Sequence, residues 1–170
     1  MKKRWVLAVL GLTVAAFTLS QVAVAADNAT PQEVVAKVKQ AAATLSKSGA
    51  AGLDQFNKKD SPWVWKDSYI FALDCTKMTM AAHPIKPDLI GKDVANMKDT
   101  KGTAFFGDLC SATKKPDGVW VEYWWPKPGE KEGSRKISYA MNAPNTPYVV
   151  SAGIYDDKAT IADLQKMSGK

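Results

Sequence analysis

Gly118-Val119-Trp120-Val121-Glu122-Tyr123-Trp124-Trp125-Pro126 is the stretch that decides how the rest of this chain folds. Successive side chains of a strand point to opposite faces, so residues 119–125 set Val121, Tyr123 and Trp125 on one face and Trp120, Glu122 and Trp124 on the other. Residues 136–141 and 148–155 carry the same strand grammar. Only Pro126-Lys127-Pro128-Gly129 and its neighbours, and then Asn142-Ala143-Pro144-Asn145, separate the three segments. Such hairpin connections make the strands antiparallel.

Working outward, Tyr69-Ile70-Phe71-Ala72-Leu73 is aromatic and branched and runs into the polar stretch Asp74-Cys75-Thr76-Lys77. It reads as one strand, with residues 78–82 returning as its hairpin partner. His83-Pro84 then opens a loop through Asp93 that is too rich in proline and glycine for regular structure, and connections of this length are often functional. Asp99-Thr100-Lys101-Gly102 is a turn, Thr103 is expected to cap a short helix over 104–112, and 114–118 turns again. At the other end, Thr30-Pro31-Gln32-Glu33 combines a capping box with proline at the first helical position. Val34, Val35, Val38, Ala41, Ala42 and Leu45 follow at helical spacing, and Gly49 ends or bends the helix. Residues 50–56 add a further helical turn or two, and 160–167 form a short terminal helix. The whole reads as one α+β domain over residues 27–170, with about five antiparallel strands behind a long N-terminal helix and a helix and loops over the opposite face.

The chain has 170 residues, of which 46% are hydrophobic and 24% charged, which argues against a disordered protein. Its formal charge of +6 would suggest an anionic polymer as partner, but Lys2, Lys3 and Arg4 precede an apolar run over 5–19, and Ala23-Val24-Ala25 follows. This is the pattern of a secretory signal peptide over residues 1–25, and its removal lowers the charge to +3. The apolar run is short for a membrane anchor. An exported, periplasmic protein is expected, with no nucleic-acid partner. Export also changes the reading of Cys75 and Cys110: a disulfide is expected in an oxidising compartment, with two separately buried thiols as the alternative.

A single histidine removes most catalytic and metal readings. Cys75, His83 and Cys110 match no zinc finger or ribbon spacing, and no Cys-x-x-Cys-His haem motif is present. No serine elbow accompanies His83. The turn at Asp99 lacks the alternating ligands and distal glutamate of a calcium loop. No enzyme activity, metal or cofactor is therefore expected. What remains is a mixture of aromatic walls and polar tips: Tyr123, Tyr139 and Tyr155 carry hydroxyls, while Lys136 and His83 supply donors. Such a set suits a small carboxylate.

The order Tyr69-Ile70-Phe71, His83-Pro84, Leu89-Ile90-Gly91-Lys92-Asp93, Lys98-Asp99-x-x-Gly102, the 118–125 strand, Lys136-Ile137-Ser138-Tyr139 and Gly153-Ile154-Tyr155 resembles the single Cache domain of the second type, a sensor module of bacterial chemoreceptors and histidine kinases. The resemblance runs from about Val34 to Tyr155. It implies a PAS-like sheet and a pocket for a small organic acid of acetate or propionate size. It also implies ligand contacts from His83, Tyr123, Trp125, Lys136 and Tyr139, with Tyr69 and Tyr155 behind them. Lys136 and Tyr139 have opposite parity on a regular strand, so both reach one pocket only if the strand twists or bulges between them. Sensor members continue into a membrane helix, whereas this chain ends at Lys170. The function expected is ligand binding with the signal passed to a separate membrane receptor, kinase or transporter, and a homodimer through the N-terminal helix is a further possible contact. The alternative is an envelope interaction protein with a vestigial pocket.

Overall fold

A computed structural model of the protein describes residues 28–169. The expected signal peptide lies outside the described residues. Helix α1, Pro31–Ser48, begins as its sequence demands: Thr30 Oγ1 accepts from the Glu33 N–H at 3.2 Å, and Glu33 Oε2 accepts from the Thr30 N–H at 2.8 Å. Those reciprocal bonds satisfy amides that the first helical turn leaves without partners. At the far end Gly49 leaves helical geometry at φ 55°, and a 3-10 helix, Gly49–Asn57, continues the chain.

Seven strands follow: β1 (Val64–Trp65), β2 (Ser68–Tyr69), β3 (Phe71–Asp74), β4 (Thr79–Ala82), β5 (Val119–Pro126), β6 (Gly133–Asn142) and β7 (Tyr148–Ile154). β1 and β2 form a small ribbon, and the other five form one antiparallel sheet in the order β4-β3-β7-β6-β5. The five antiparallel strands are those read from the residues, and their PAS-like arrangement is the one the resemblance implies. The continuous strand expected over 69–73 is broken at Ile70. Tyr69 pairs with Val64 and Phe71 with Ser151, while the Ile70 N–H bonds to the Trp63 carbonyl at 2.9 Å. The chain changes partners there without losing its alternation.

The sheet has two covered faces. Val34, Val38, Ala41, Ala42 and Leu45 of α1 pack with Ile137, Tyr139, Val150, Ala152 and Ile154. Val34, Val38 and Leu45 are fully buried, and each such side chain contributes ~1.5–3 kcal/mol relative to exposure. Helix α3, Ile161–Ser168, closes the edge of this layer; Thr160, expected as its first residue, instead caps it, its Oγ1 accepting from the Asp163 N–H at 3.2 Å. On the opposite face lie Tyr69, Phe71, Leu73, Met80, Val121, Tyr123, Trp125 and Val149, under Phe105, Phe106 and Leu109. Helix α2 there spans Phe106–Cys110 and passes into a 3-10 turn, Ser111–Lys114. It is shorter than the expected 104–112, and Thr103 does not cap it. The Thr103 N–H instead donates to Asp99 Oδ1 at 2.8 Å, and Phe105 takes the N-cap position.

The two cysteines are joined. Cys75, in the turn after β3, and Cys110, the last residue of α2, form a disulfide across 35 residues. It ties the β3–β4 hairpin to the helix covering the sheet.

Candidate functional site

The aromatic face of the sheet holds a small cavity lined by Tyr69, Phe71, Met80, His83, Phe105, Phe106, Tyr123 and Trp125. About 10 Å³ of it is open to the centre of a water molecule, close to the minimum that one water requires. Strand parity delivers most of these groups. Tyr123 and Trp125 share a face of β5 with Val121, and Lys136 of β6 stands directly opposite Tyr123. Tyr69 and Phe71 share a face across the break at Ile70.

Met80 and His83 have opposite parity, yet both line the cavity. Leu73 pairs with Met80 while Ala72 pairs with Ala82, so β4 carries an extra residue between the two pairs. A bulge of this kind re-aims every side chain beyond it. Here it swings His83 onto the aromatic face, where its ring lies 5.0 Å from Tyr69 and 5.8 Å from Phe71.

His83 Nδ1 accepts from the Lys86 N–H at 3.0 Å, which leaves the proton of the neutral ring on Nε2. Burial pushes the imidazole down to about 3, with repulsion from Lys136 and Lys86 adding to the effect, so the ring is a neutral donor at ordinary pH. The Tyr123 ring stacks on Phe105 at 3.8 Å, and its hydroxyl bonds to Ser138 Oγ at 2.8 Å. Burial raises the Tyr123, Tyr69 and Tyr155 hydroxyls well above their ordinary range, so all three stay protonated. Tyr155 donates to the Pro126 carbonyl at 2.8 Å.

Lys136 differs from all of these. It is fully buried, and its Nζ has no hydrogen-bond partner among the described residues. The ammonium stands 4.1 Å from the ring centroid of Tyr69, 5.1 Å from that of Tyr155 and 5.6 Å from that of Phe71. Burial holds it down to about 7; attraction from Asp67 opposes the shift and repulsion from Lys86 adds to it. Space for its stem comes from Gly153, where a Cβ would stand 2.9 Å from Lys136 Cε. Lys86, half-buried in the loop after His83, sets its ammonium 4.4 Å from the Trp125 ring centroid.

Six of the expected ligand residues therefore converge: Tyr69, His83, Tyr123, Trp125, Lys136 and Tyr155. Tyr139 does not join them. β6 keeps regular pairing with β5 through Lys136 and Tyr139, so the parity conflict stands and Tyr139 points to the helix side. There its ring packs 5.2 Å from Trp120 and its hydroxyl donates to the Asp117 carbonyl. The sequence reading passed over Phe71, Met80, Phe105, Phe106, Lys86 and Ser138. Phe71 is legible as Tyr69 plus two and Ser138 as Lys136 plus two, whereas Met80, Phe105, Phe106 and Lys86 depend on the bulge and on where the covering loops lie.

The polar groups lining the cavity are a neutral imidazole, two phenols and an indole, and the Lys136 ammonium lies against the ring of Tyr69, one of the lining residues. None of its lining residues is a carboxylate. No group of three or more His, Cys, Asp or Glu side chains among the described residues is placed to hold a metal.

A five-stranded antiparallel sheet with a long helix on one face and a small aromatic-walled cavity on the other is the layout of the PAS-like class of fold. A sequence model of the Cache domain matches residues 61–160, and the chain belongs to that family, as a Cache domain of the second type. Over 92 residues it is 33% identical to the methyl-accepting chemotaxis protein McpP of Pseudomonas putida KT2440, covering 54% of this chain and 16% of that protein's length. A solved Cache chemosensory domain, described in terms of carboxylic acid recognition, superimposes with a TM-score of 0.61 at 26% identity, covering 74% of this chain and 92% of that one. A methyl-accepting chemotaxis protein from Vibrio parahaemolyticus RIMD 2210633 does so with a TM-score of 0.59 at 26% identity, covering 74% and 88%.

Proposed function

We propose that this protein is an exported Cache sensor protein that binds a small carboxylate, of acetate or propionate size, and passes the signal to a separate membrane partner. The observation that carries this reading is Lys136: a buried ammonium without a hydrogen-bond partner, beside a pocket whose other polar groups are donors. An anion satisfies that ammonium, and the aromatic walls suit a short carbon chain. The carboxylic acid recognised by a structural relative favours the same ligand class. Export rests on the signal-peptide pattern of residues 1–25 and fits the Cys75–Cys110 disulfide. No helix among the described residues is long and apolar enough to cross a membrane.

The cavity's size favours a second reading, in which the protein's own aromatics fill a vestigial pocket and its role is to contact another envelope protein. A thermal-shift series against short carboxylates, amino acids, amines and purines separates the two. Sensing predicts a rise confined to carboxylates, since a ligand at 100 times its Kd adds about 2.7 kcal/mol. The absence of any shift across the series overturns it in favour of the vestigial pocket.

A further inference from the structure

We propose that the pocket takes its carboxylate together with a proton, and that this proton ends on Lys136 Nζ. The proposal deepens the carboxylate reading above and rests on it. The balance is simple: a neutral lysine amine, a carboxylate anion and one proton from solvent give an ammonium–carboxylate pair, with no bond broken in the ligand.

The geometry supplies the reason. An ammonium removed from water loses its hydration shell, and in a protein interior it either finds a counter-ion and hydrogen bonds or gives up its charge. Lys136 Nζ has neither contact. Ring faces of Tyr69, Tyr155 and Phe71 partly replace the lost water, because each attracts a cation. A carboxylate seated against Nζ would provide both the counter-charge and the acceptors, making the charged form the stable one.

The groups around Lys136 come from every element packed on it: Asp67 between β1 and β2, Tyr69 on β2, Phe71 on β3, His83 after β4, Lys86 in the following loop, Tyr123 on β5 and Tyr155 after β7. Burial sends His83 to about 3 and the three tyrosines upward, so neither kind changes charge between pH 6 and 9. Lys136, at about 7, crosses its midpoint within that window, while Lys86 is lowered by its own burial and needs a separate control. Uptake is therefore small at pH 6 and rises with pH as more of the free protein holds a neutral amine.

Isothermal titration of the purified protein with sodium acetate and sodium propionate, in pairs of buffers with different ionisation enthalpies, counts the protons taken up. For a midpoint of about 7, expected uptake per ligand is about 0.1 at pH 6, about 0.5 at pH 7 and about 0.9 at pH 8. Kd should weaken about 50-fold from pH 7 to pH 9. Lys86→Gln should keep the proton uptake but move it to higher pH, because the repulsion that helps lower Lys136 is gone. Binding without proton uptake at pH 8 overturns the proposal and leaves the carboxylate reading standing. Uptake that persists in Lys136→Gln, or disappears in Lys86→Gln, also overturns it by moving the proton elsewhere. Failure of both acids to bind at any pH from 6 to 9 overturns the carboxylate reading, and the proposal with it.

Discussion

The Lys136 ammonium stands 4.1 Å from the centroid of the Tyr69 ring, with no hydrogen-bond partner among the described residues. A fold selected for stability alone would not hold a lysine there, since buried charge without a partner is among the costlier arrangements in a protein interior. Function is the usual reason such a cost persists.

Replacing that lysine should therefore stabilise the ligand-free protein. Lys136→Met is expected to raise the unfolding free energy by ~1–4 kcal/mol at pH 6 while abolishing the carboxylate response. The sign follows from a lysine lowered from 10.5 to about 7. The cost is full below pH 7 and is relieved as pH rises from 7 towards 10.5, so the parent gains stability over that interval and the variant does not. Denaturant unfolding at pH 6, 7.5 and 9 reads this directly, and a variant less stable than the parent at pH 6 contradicts it.

His83 makes the opposite end of the pH scale informative. A histidine lowered from 6.5 to about 3 withdraws stability as pH falls from 6.5 towards 3, by ~1.4 kcal/mol per pH unit, and withdraws no more below that. The chain has a single histidine, so its ring resonances identify themselves in an NMR titration. They should remain those of the neutral Nε2–H form from pH 8 down to 5. A midpoint near 6.5 would show that the ring is not buried as described.

The disulfide links the turn after β3 to the helix that begins at Phe106 and is preceded by Phe105, across 35 residues. Chain entropy for a loop of that length gives about 4 kcal/mol. Reduction, or a Cys75→Ser and Cys110→Ser double variant, should cost ~3–4 kcal/mol in denaturant and weaken carboxylate binding by loosening the wall that Phe105 and Phe106 provide. Two freely alkylated thiols in protein isolated without reductant would contradict the bridge.

Gly153 is required for space. A Cβ there would stand 2.3 Å from Ser138 Oγ, 2.9 Å from the Ile137 carbonyl and 2.9 Å from Lys136 Cε. Gly153→Ala should cost ~1–3 kcal/mol and displace Lys136, lowering the ligand-induced thermal shift. Gly107, where a Cβ meets nothing within 4 Å, provides the comparison: Gly107→Ala should leave that shift in place.

Two tyrosines test the division between the faces. Tyr139→Phe removes a bond to the Asp117 carbonyl and should cost ~0.5–1.5 kcal/mol without changing the carboxylate response. Tyr123→Phe, on the pocket side, should diminish the response. Equal effects on ligand-induced thermal shift would show that the sheet does not separate the two residues.

Local physics wrote much of this protein into its sequence. The Thr30–Glu33 capping box, the helical spacing from Val34 to Leu45 and the alternation of Val121, Tyr123 and Trp125 each depend on residues a few positions apart, so α1 and the faces of β5 were legible from the chain alone. Tertiary structure decided the rest. Whether Ile70 interrupts a strand depends on Val64 pairing with Tyr69, Ser151 with Phe71 and the Trp63 carbonyl taking the Ile70 N–H, and whether His83 faces the pocket depends on the extra residue in β4 opposite β3. Tyr139 had the chemistry of a ligand residue but, with β6 regular, its parity sent it to the helix. The unsatisfied charge on Lys136 arises only when Tyr69, Phe71 and Tyr155, distant in sequence, close around it. Helix periods and caps are set by short-range bonding, whereas burial and the fate of a charge are set by groups that meet only after the chain has folded.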